Sequence, residues 1–77
     1  MNNIPIIDLE KTGQNIKRLR KRANIRIADL QEFYGFCTPQ AIYKWEQGRG
    51  LPTIDNLLIL ARLFGVTMDE IIVCRRV

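Results

Sequence analysis

Apolar side chains recur at three- and four-residue steps along most of the chain, the spacing that aligns side chains on one face of a helix. The first helical segment covers about residues 13–22, and Thr12 is its expected N-cap. Its apolar face consists of Ile16, Leu19 and Ala23, while the other face carries almost only lysine and arginine. The pattern therefore predicts an amphipathic helix with one cationic side.

The second helical segment is short and covers about residues 27–34. Gly35 follows it directly, and glycine is the usual residue at a left-handed helix terminus because it has no Cβ to clash. The apolar positions that recur at helical spacing in this segment are Ile27, Leu30, Phe33 and Tyr34.

The third helical segment has the clearest boundaries and covers about residues 39–47. Thr38 can cap it, and Pro39 suits the first helical position, where a missing N–H leaves no hydrogen bond unmade. Gly48 ends the segment.

Two further helices complete the pattern. Pro52 and the cap Thr53 mark the start of the fourth, which continues to Gly65 and is apolar nearly all round. Such a helix is expected to be buried in the centre of the core. The fifth begins with a capping box, in which Thr67 and Glu70 each accept a hydrogen bond from the other's backbone N–H.

The two ends are rich in β-branched residues, at positions 4–9 and 71–77. They could pair as a short antiparallel ribbon, within one chain or between two, whereas residues 1–3 are expected to fray. The predicted fold is therefore all-α, a compact five-helix domain with this ribbon as an optional addition. The expected divisions are an N-terminal arm at 1–11, the folded domain at 12–73 and a tail at 74–77.

Positive charge is concentrated in the first third of the chain. The net charge is +4, and between Lys11 and Arg26 there are seven basic residues and no acidic one. Such a run either attracts a polyanion or only keeps a helix face hydrated, and the run alone favours neither. Its members are Lys11, Lys17, Arg18, Arg20, Lys21, Arg22 and Arg26.

The residue content excludes several classes of site. There is no histidine, and the two cysteines, Cys37 and Cys74, do not form a CxxC pair and are expected to be reduced. A zinc site, a Ser-His-Asp triad and a Cys-His pair therefore cannot be assembled, so we expect no metal, no cofactor and no enzymatic activity. The chain also lacks an apolar run of about 18 residues and a secretory signal, which predicts a cytoplasmic protein that does not enter the membrane.

The second and third helices are both short and only a few residues apart, which is the layout of a helix-turn-helix. In such a pair, one stripe of the later helix anchors it to the core, and the opposite stripe is free to enter the major groove of DNA. Ile42 and Trp45 form the anchoring stripe here. Glutamine can pair with adenine and lysine with guanine, and both occur on the outward stripe of Gln40, Tyr43, Lys44 and Gln47.

The stretch from residue 13 to 72 resembles the Cro/repressor-type helix-turn-helix family, also called the xenobiotic-response-element family. The resemblance implies a lambda-repressor-like five-helix domain that binds DNA and regulates transcription. It rests on Leu19-Arg20, Leu30, the segment TPQAIYKWEQG at 38–48, and LPTIDNLLILARLFGV with the later MDEII.

The resemblance also implies roles for matching positions. Arg20 and Glu46 would form a partly buried salt bridge between the first helix and the end of the recognition helix, since a bidentate Arg–carboxylate pair can fix geometry. The residues expected to approach bases are Thr38, Pro39, Gln40 and Lys44. Those expected to approach phosphates are Tyr43, Gln47 and Arg49.

The sequence departs from the family pattern at two places. A second helix of this type usually begins with a Ser or Thr cap and a phosphate-holding Gln, but Arg26 and Ile27 stand there. Phosphate contact is therefore expected to shift to Arg26 and to Lys17 and Arg22 on the first helix. The turn at residues 35–37 is one residue longer than usual, and its cysteine is expected to be a small buried filler.

The leading hypothesis is that the protein binds specific sites on double-stranded DNA as a transcriptional repressor. A homodimer is expected, because one recognition helix reads too few bases, and its half-sites would lie about 34–36 Å apart. The alternative is an antitoxin or another protein-interaction module that binds DNA secondarily and holds a protein partner through its apolar ends. Loss of Gln40 and Lys44 would remove the main function only under the first hypothesis.

Overall fold

The computed structural model describes residues 4–76, except for the side chain of Arg76. Within that range it contains five helices and a two-stranded ribbon, which confirms the predicted fold class. Residues 1–3, which are expected to fray, lie outside the described range. The elements in chain order are β1 (Pro5–Ile7), α1 (Leu9–Arg22), α2 (Ile27–Tyr34), α3 (Gln40–Glu46), α4 (Ile54–Phe64), α5 (Met68–Ile71) and β2 (Cys74–Arg76).

The first helix begins one turn earlier than the sequence pattern predicts. Asp8 is its N-cap, since the Asp8 carboxylate accepts a hydrogen bond from the Lys11 N–H at 2.9 Å. The assignment of Thr12 as the cap is therefore wrong. Thr12 is fully buried inside α1, where its hydroxyl accepts a hydrogen bond from the Val73 N–H at 2.9 Å and donates one to the Val73 carbonyl. It thus joins α1 to the segment that leads into β2.

The two ends pair as an antiparallel ribbon within one chain. Ile6 lies opposite Arg75, and Ile7 lies opposite Cys74. The Asp8 N–H continues the ladder by donating to the Val73 carbonyl at 2.8 Å. The predicted ribbon is confirmed, and it places the start of α1 beside the start of β2.

The remaining helix ends follow the sequence signals closely. Gly35 and Gly65 end α2 and α4 in the left-handed conformation, with φ of 72° and 71°. Thr67 and Glu70 form the expected capping box, but α5 is a single turn, and Ile72 is already extended. The third helix is one residue shorter at each end than predicted, because Pro39 occupies the N-cap position and Gln47 the C-cap position. The assignment of Thr38 as the cap and of Pro39 to the first helical position is therefore wrong.

The core is formed by one face of each helix. Its buried apolar residues are Ile16, Leu19, Leu30, Ile42, Trp45, Leu57, Leu60, Ala61, Phe64 and Ile71. The expectation that α4 is buried all round is wrong, since Ile54 is 77% exposed and Leu58 46%. Phe33, which the periodicity assigned to the buried face of α2, is also mostly exposed. In a chain of 77 residues the single core is too small to cover every apolar side of its helices.

Both cysteines are free and exposed. The expectation that the cysteine in the turn fills the interior is wrong, because Phe36 beside it packs against the core instead. Within residues 4–76, no three of the aspartate, glutamate and cysteine side chains are grouped in a way that could hold a metal ion. No helix in that range is long and apolar enough to cross a bilayer.

Candidate nucleic-acid interface

The third helix divides into a buried stripe and an exposed stripe. Ile42 is fully buried and Trp45 is 5% exposed, so these two side chains fasten the helix to the core. The opposite side carries four polar or aromatic side chains that are all exposed: Gln40, Tyr43, Lys44 and Gln47. Since residues three and four apart lie next to each other on a helix, these four form one continuous surface.

An aromatic cluster sets the position of this helix against α2. The rings of Tyr34 and Phe36 are stacked, with centroids 4.9 Å apart and planes 10° apart. Trp45 meets both rings edge-on, at 5.7 Å from Tyr34 and 6.1 Å from Phe36. The Tyr34 hydroxyl donates to the Asn56 carbonyl at 2.8 Å, and burial raises the pKa of Tyr34 to about 12, so this donor keeps its proton. Helices α2, α3 and α4 therefore share one rigid junction.

The turn between α2 and α3 is held by hydrogen bonds from α2. The Phe36 N–H donates to the Gln31 carbonyl at 3.0 Å. In return, the Gln31 amide donates to the carbonyls of Phe36 and Cys37, at 3.4 and 3.2 Å. This role of Gln31 was not predicted, although a glutamine next to the buried Leu30 and a few residues before a glycine terminator is a signal for it. The backbone that leads into α3 is thus fixed rather than free.

Thr38 and Pro39 lie directly before α3. The Thr38 hydroxyl accepts a weak hydrogen bond from the Gln40 N–H at 3.4 Å, so it satisfies one exposed donor at the helix start. Thr38 is exposed, while Pro39 is half-buried. Of the four residues expected to approach bases, three are therefore open to a ligand and the fourth is partly covered.

A buried salt bridge joins the end of α3 to α1. Arg20 Nε lies 2.6 Å from Glu46 Oε2, and a second guanidinium nitrogen lies 3.3 Å from Oε1. The third nitrogen donates to the Ile25 carbonyl at 2.9 Å. Both side chains are less than a tenth exposed. The pair implied by the resemblance is present, and it is bidentate with every guanidinium nitrogen occupied.

Two glycines let α1 approach α3 closely. A Cβ built on Gly13 would lie 2.5 Å from the Trp45 carbonyl oxygen and 2.7 Å from that of Glu46. Gly48 has a φ of 72°, and a Cβ there would lie 2.7 Å from Glu10 Cα. The sequence identified Gly48 as a helix terminator. It did not show that Gly13, inside a helix, packs against the end of α3. Backbone is therefore packed on backbone at both contacts.

The exposed Lys44 side chain crosses the loop that follows α3. A Cβ built on Gly50 would lie 2.7 Å from Lys44 Cε and 3.4 Å from Nζ. Because residue 50 has no side chain, the aliphatic part of the Lys44 side chain can lie in that space. This role of Gly50 was not predicted, because Gly50 lies in a loop between Gly48 and Pro52, which already mark the end of one helix and the start of the next.

The other expected phosphate contacts lie on separate elements. Lys17 and Arg22 are exposed on α1, and Arg49 is exposed in the loop after α3. Arg26, at the start of α2, already has a partner, since its guanidinium donates to the Asp29 carboxylate at 2.8 and 3.1 Å. These hydrogen bonds hold the pKa of Asp29 below its usual value. A phosphate at this position would share Arg26 with a carboxylate.

This surface combines amide, ammonium, phenol and hydroxyl groups on a rigid support. An amide can donate and accept in one plane, which suits the edge of adenine, and an ammonium can donate to two acceptors of guanine. Neither arrangement needs a cofactor or a proton transfer. The chemistry available here is recognition by hydrogen bonds and charge.

Comparisons with known proteins agree with this geometry. The family model described as helix-turn-helix matches residues 16–71. The HTH-type transcriptional activator BcrR of Enterococcus faecalis is 32% identical over 60 residues, which cover 78% of this chain but only 29% of BcrR. The chain therefore spans less than a third of that relative's length.

Two solved structures share the fold. The BldD DNA-binding domain of S. venezulae superposes with a TM-score of 0.70 over 84% of this chain and 96% of its own, at 20% identity. A crystal structure of the BldD DNA-binding domain gives a TM-score of 0.68 over 83% of this chain and 92% of its own, also at 20% identity. Since the family model covers most of the sequence, the chain belongs to the helix-turn-helix family, of the Cro/C1 type that its sequence resembles.

Proposed function

We propose that this domain binds specific sites on double-stranded DNA and regulates transcription, with α3 lying in the major groove. The observation that carries the proposal is the exposed polar stripe of α3, opposite a stripe locked into the core by Ile42 and Trp45. A flexible surface helix would lose conformational entropy on binding, whereas this one is already fixed. Membership of the helix-turn-helix family supports the same conclusion.

The residues divide into two groups by the chemistry they offer. Gln40 and Lys44 are one turn apart and would contact neighbouring base pairs, with Thr38 and Pro39 at the groove edge. The phosphate contacts would be made by Tyr43, Gln47 and Arg49 near α3, and by Lys17, Arg22 and Arg26 on the other helices. Base contacts determine sequence preference, and phosphate contacts determine position and salt dependence.

Whether the protein represses or activates transcription depends on where it binds relative to a promoter. We propose repression, in which a bound domain blocks polymerase, within the cytoplasm and without a catalytic step. The relative BcrR is named an activator, so a reporter assay must decide between the two. Reporter output that rises when the domain is present would contradict repression while leaving DNA binding intact.

The first prediction separates the two groups of residues. Lys44→Ala should reduce discrimination at one base position by about 1–3 kcal/mol. Lys17→Ala should leave sequence preference unchanged and reduce the slope of log K against log salt by about 0.9. The measurement is binding to a duplex enriched from a random pool, and to single-base variants of it, at several salt concentrations. Failure to enrich any sequence would refute the proposal, and identical behaviour of the two variants would refute the division.

A second prediction concerns Gly50. The nearest atoms to an alanine methyl group there belong to the flexible end of Lys44, and Gly→Ala at a compatible site without positive φ stabilises a protein by about 0.4–1 kcal/mol. We therefore expect Gly50→Ala to unfold at equal or higher urea concentration but to bind the selected duplex less tightly, because the lysine must move. Combining it with Lys44→Ala should add no further loss of affinity. A full additional loss would show that Gly50 does not act through the lysine.

A second candidate function is protein binding through the apolar ends, as in an antitoxin. The exposed isoleucines of the ribbon favour it, since Ile4 is 53% exposed and Ile6 40%. The double variant Gln40→Ala with Lys44→Ala distinguishes the two functions. It should abolish specific DNA binding under the main proposal and leave a protein complex unaffected under this one.

A further inference from the structure

The two ends of α3 are held in different ways. Near the C-terminal end, Trp45 is buried in the core, and the Glu46 carboxylate accepts a hydrogen bond from the Arg20 guanidinium at 2.6 Å. The backbone there is also covered, since a Cβ built on Gly13 would lie 2.5 Å from the Trp45 carbonyl oxygen. This end of the helix can shift only if α1 moves with it.

The N-terminal end of α3 has weaker support of its own. Pro39 is the N-cap and makes no side-chain capping hydrogen bond. Cys37 and Thr38, which precede it, are both exposed. The Thr38 hydroxyl accepts a hydrogen bond from the Gln40 N–H at 3.4 Å, which is long for such a bond. The position of this end therefore depends on contacts that another helix supplies.

The Gln31 side chain on α2 supplies that connection. Its amide nitrogen carries two N–H groups and lies 3.4 Å from the Phe36 carbonyl oxygen and 3.2 Å from that of Cys37. Phe36 is also placed by other contacts, because its N–H donates to the Gln31 carbonyl and its ring stacks on Tyr34. Within residues 4–76, no backbone N–H donates to the Cys37 carbonyl, so the Gln31 amide is its donor. One side chain thus connects the segment before α3 to α2.

We infer that Gln31 is a positioning residue for DNA recognition, whose amide determines where the start of α3 lies and so where Gln40 meets a base pair. This inference rests on the proposed DNA-binding function. Gln40 is the first residue of α3 and follows closely after the carbonyls that Gln31 holds, whereas Lys44 lies one turn further on, next to the fixed end. Loss of the connection should therefore weaken the base contact of Gln40 and spare that of Lys44.

Methionine is the replacement that isolates the amide. It resembles glutamine in length and helix propensity but carries no N–H group. Gln31→Met therefore removes both hydrogen bonds without adding a charge or shortening the side chain. The matched control is Gln14→Met, the same change at an exposed glutamine of α1. Because neither hydrogen bond is fully buried, both variants should fold and unfold at a urea concentration close to that of the wild type.

The first test needs no DNA. The Tyr43 N–H donates to the Pro39 carbonyl in the first turn of α3, and the Gly48 N–H donates to the Trp45 carbonyl at the other end. In native-state hydrogen exchange followed by NMR, the Tyr43 N–H should exchange about two- to tenfold faster in Gln31→Met, the effect of losing one hydrogen bond. Exchange of the Gly48 N–H should be unchanged. An equal change at both N–H groups, or none at Tyr43, overturns the inference.

A DNA arm measures the effect on recognition. The probes are a duplex enriched from a random pool and its single-base variants, and the quantity measured is the ratio of their affinities. This ratio is independent of the folded fraction, because an unfolded fraction weakens binding to every duplex equally. A well-placed contact discriminates about 5- to 150-fold between bases. Gln31→Met should lower discrimination about fivefold or more at the base pair whose preference Gln40→Ala removes, and leave it unchanged at the base pair that Lys44→Ala affects.

The outcomes separate this inference from the proposed function. Unchanged discrimination in Gln31→Met, equal loss at both base pairs, or an equal loss in Gln14→Met overturns the inference while DNA binding stands. A wild-type protein that binds no duplex refutes the proposed function and any role of Gln31 in recognition. The exchange result then still decides whether Gln31 holds the start of α3.

Discussion

Glu46→Ala is expected to lower the free energy of unfolding by about 3–5 kcal/mol. The substitution leaves the Arg20 guanidinium buried, with its contact to the Ile25 carbonyl as the one remaining hydrogen bond. A buried charge without a counter-charge carries the full cost of its desolvation. Because a domain of this size has little stability to lose, the variant should be partly unfolded at room temperature. Urea titration followed by tryptophan fluorescence measures the change, since Trp45 precedes Glu46 in α3.

Two further variants identify the cause of that loss. Replacing both partners, as in Arg20→Met with Glu46→Leu, removes the unpaired charge and should recover much of the stability that Glu46→Ala loses. Arg26→Ala breaks the exposed pair with Asp29 and should change stability little, because water screens that pair and the Asp29 carboxylate keeps its hydrogen bond from the backbone N–H of residue 26. If Glu46→Ala destabilises the protein no more than Arg26→Ala, the buried pair does not hold α1 to α3.

Gly13→Ala is expected to destabilise the protein by about 3 kcal/mol, at the upper end of the usual cost of overpacking. In an open helix the same substitution would be favourable by about 1 kcal/mol. Here the added methyl group meets the carbonyl oxygens of Trp45 and Glu46 at 2.5 and 2.7 Å, and backbone in a packed helix cannot rotate away. Helix α1 must therefore move off the end of α3. Urea unfolding gives the change in stability.

Gly50→Ala is the matched control for Gly13→Ala. Both substitutions add one methyl group at a glycine whose φ is not positive, but the neighbour at residue 50 is the end of a lysine side chain. Gly13→Ala should therefore lower the stability, whereas Gly50→Ala should leave it unchanged or raise it. A Gly13→Ala variant as stable as the wild type would contradict the close approach of α1 to α3.

Sequence patterning predicted the elements of this fold better than their contacts. Caps and glycines are local signals, so Gly35, Thr53 and the pair of Thr67 with Glu70 marked helix ends correctly. Asp8 was missed because residues 4–9, which include Leu9 in the first turn of α1, were assigned to a terminal strand, and the extra turn depends on the ribbon behind it. Phe33 was assigned to the core from periodicity, and Ile54 because α4 is apolar nearly all round, but an apolar pattern does not show whether another element covers a side chain.

In the candidate site, too, local features were predicted and contacts between distant residues were not. The outward stripe of α3 followed from helical spacing, and its four side chains are exposed as that spacing requires. The Arg20–Glu46 pair, whose members are 26 positions apart, came from family resemblance rather than from any local pattern. The packing of Gly13 and Gly50 depends on which backbone or side chain arrives from elsewhere in the chain. A single sequence does not show which group will pack against a given glycine.

The pairing of β1 with β2 makes the chain suitable for circular permutation. Pro5 lies opposite Arg76 in neighbouring antiparallel strands, the arrangement that a tight turn normally connects. A short Asn-Gly linker could therefore join these two strands into a hairpin, and the chain could be reopened in an exposed loop. A circular permutant of this kind would retain all five helices. Its new ends could be placed away from the face that carries the recognition helix, which would free that face for fusion to a reporter.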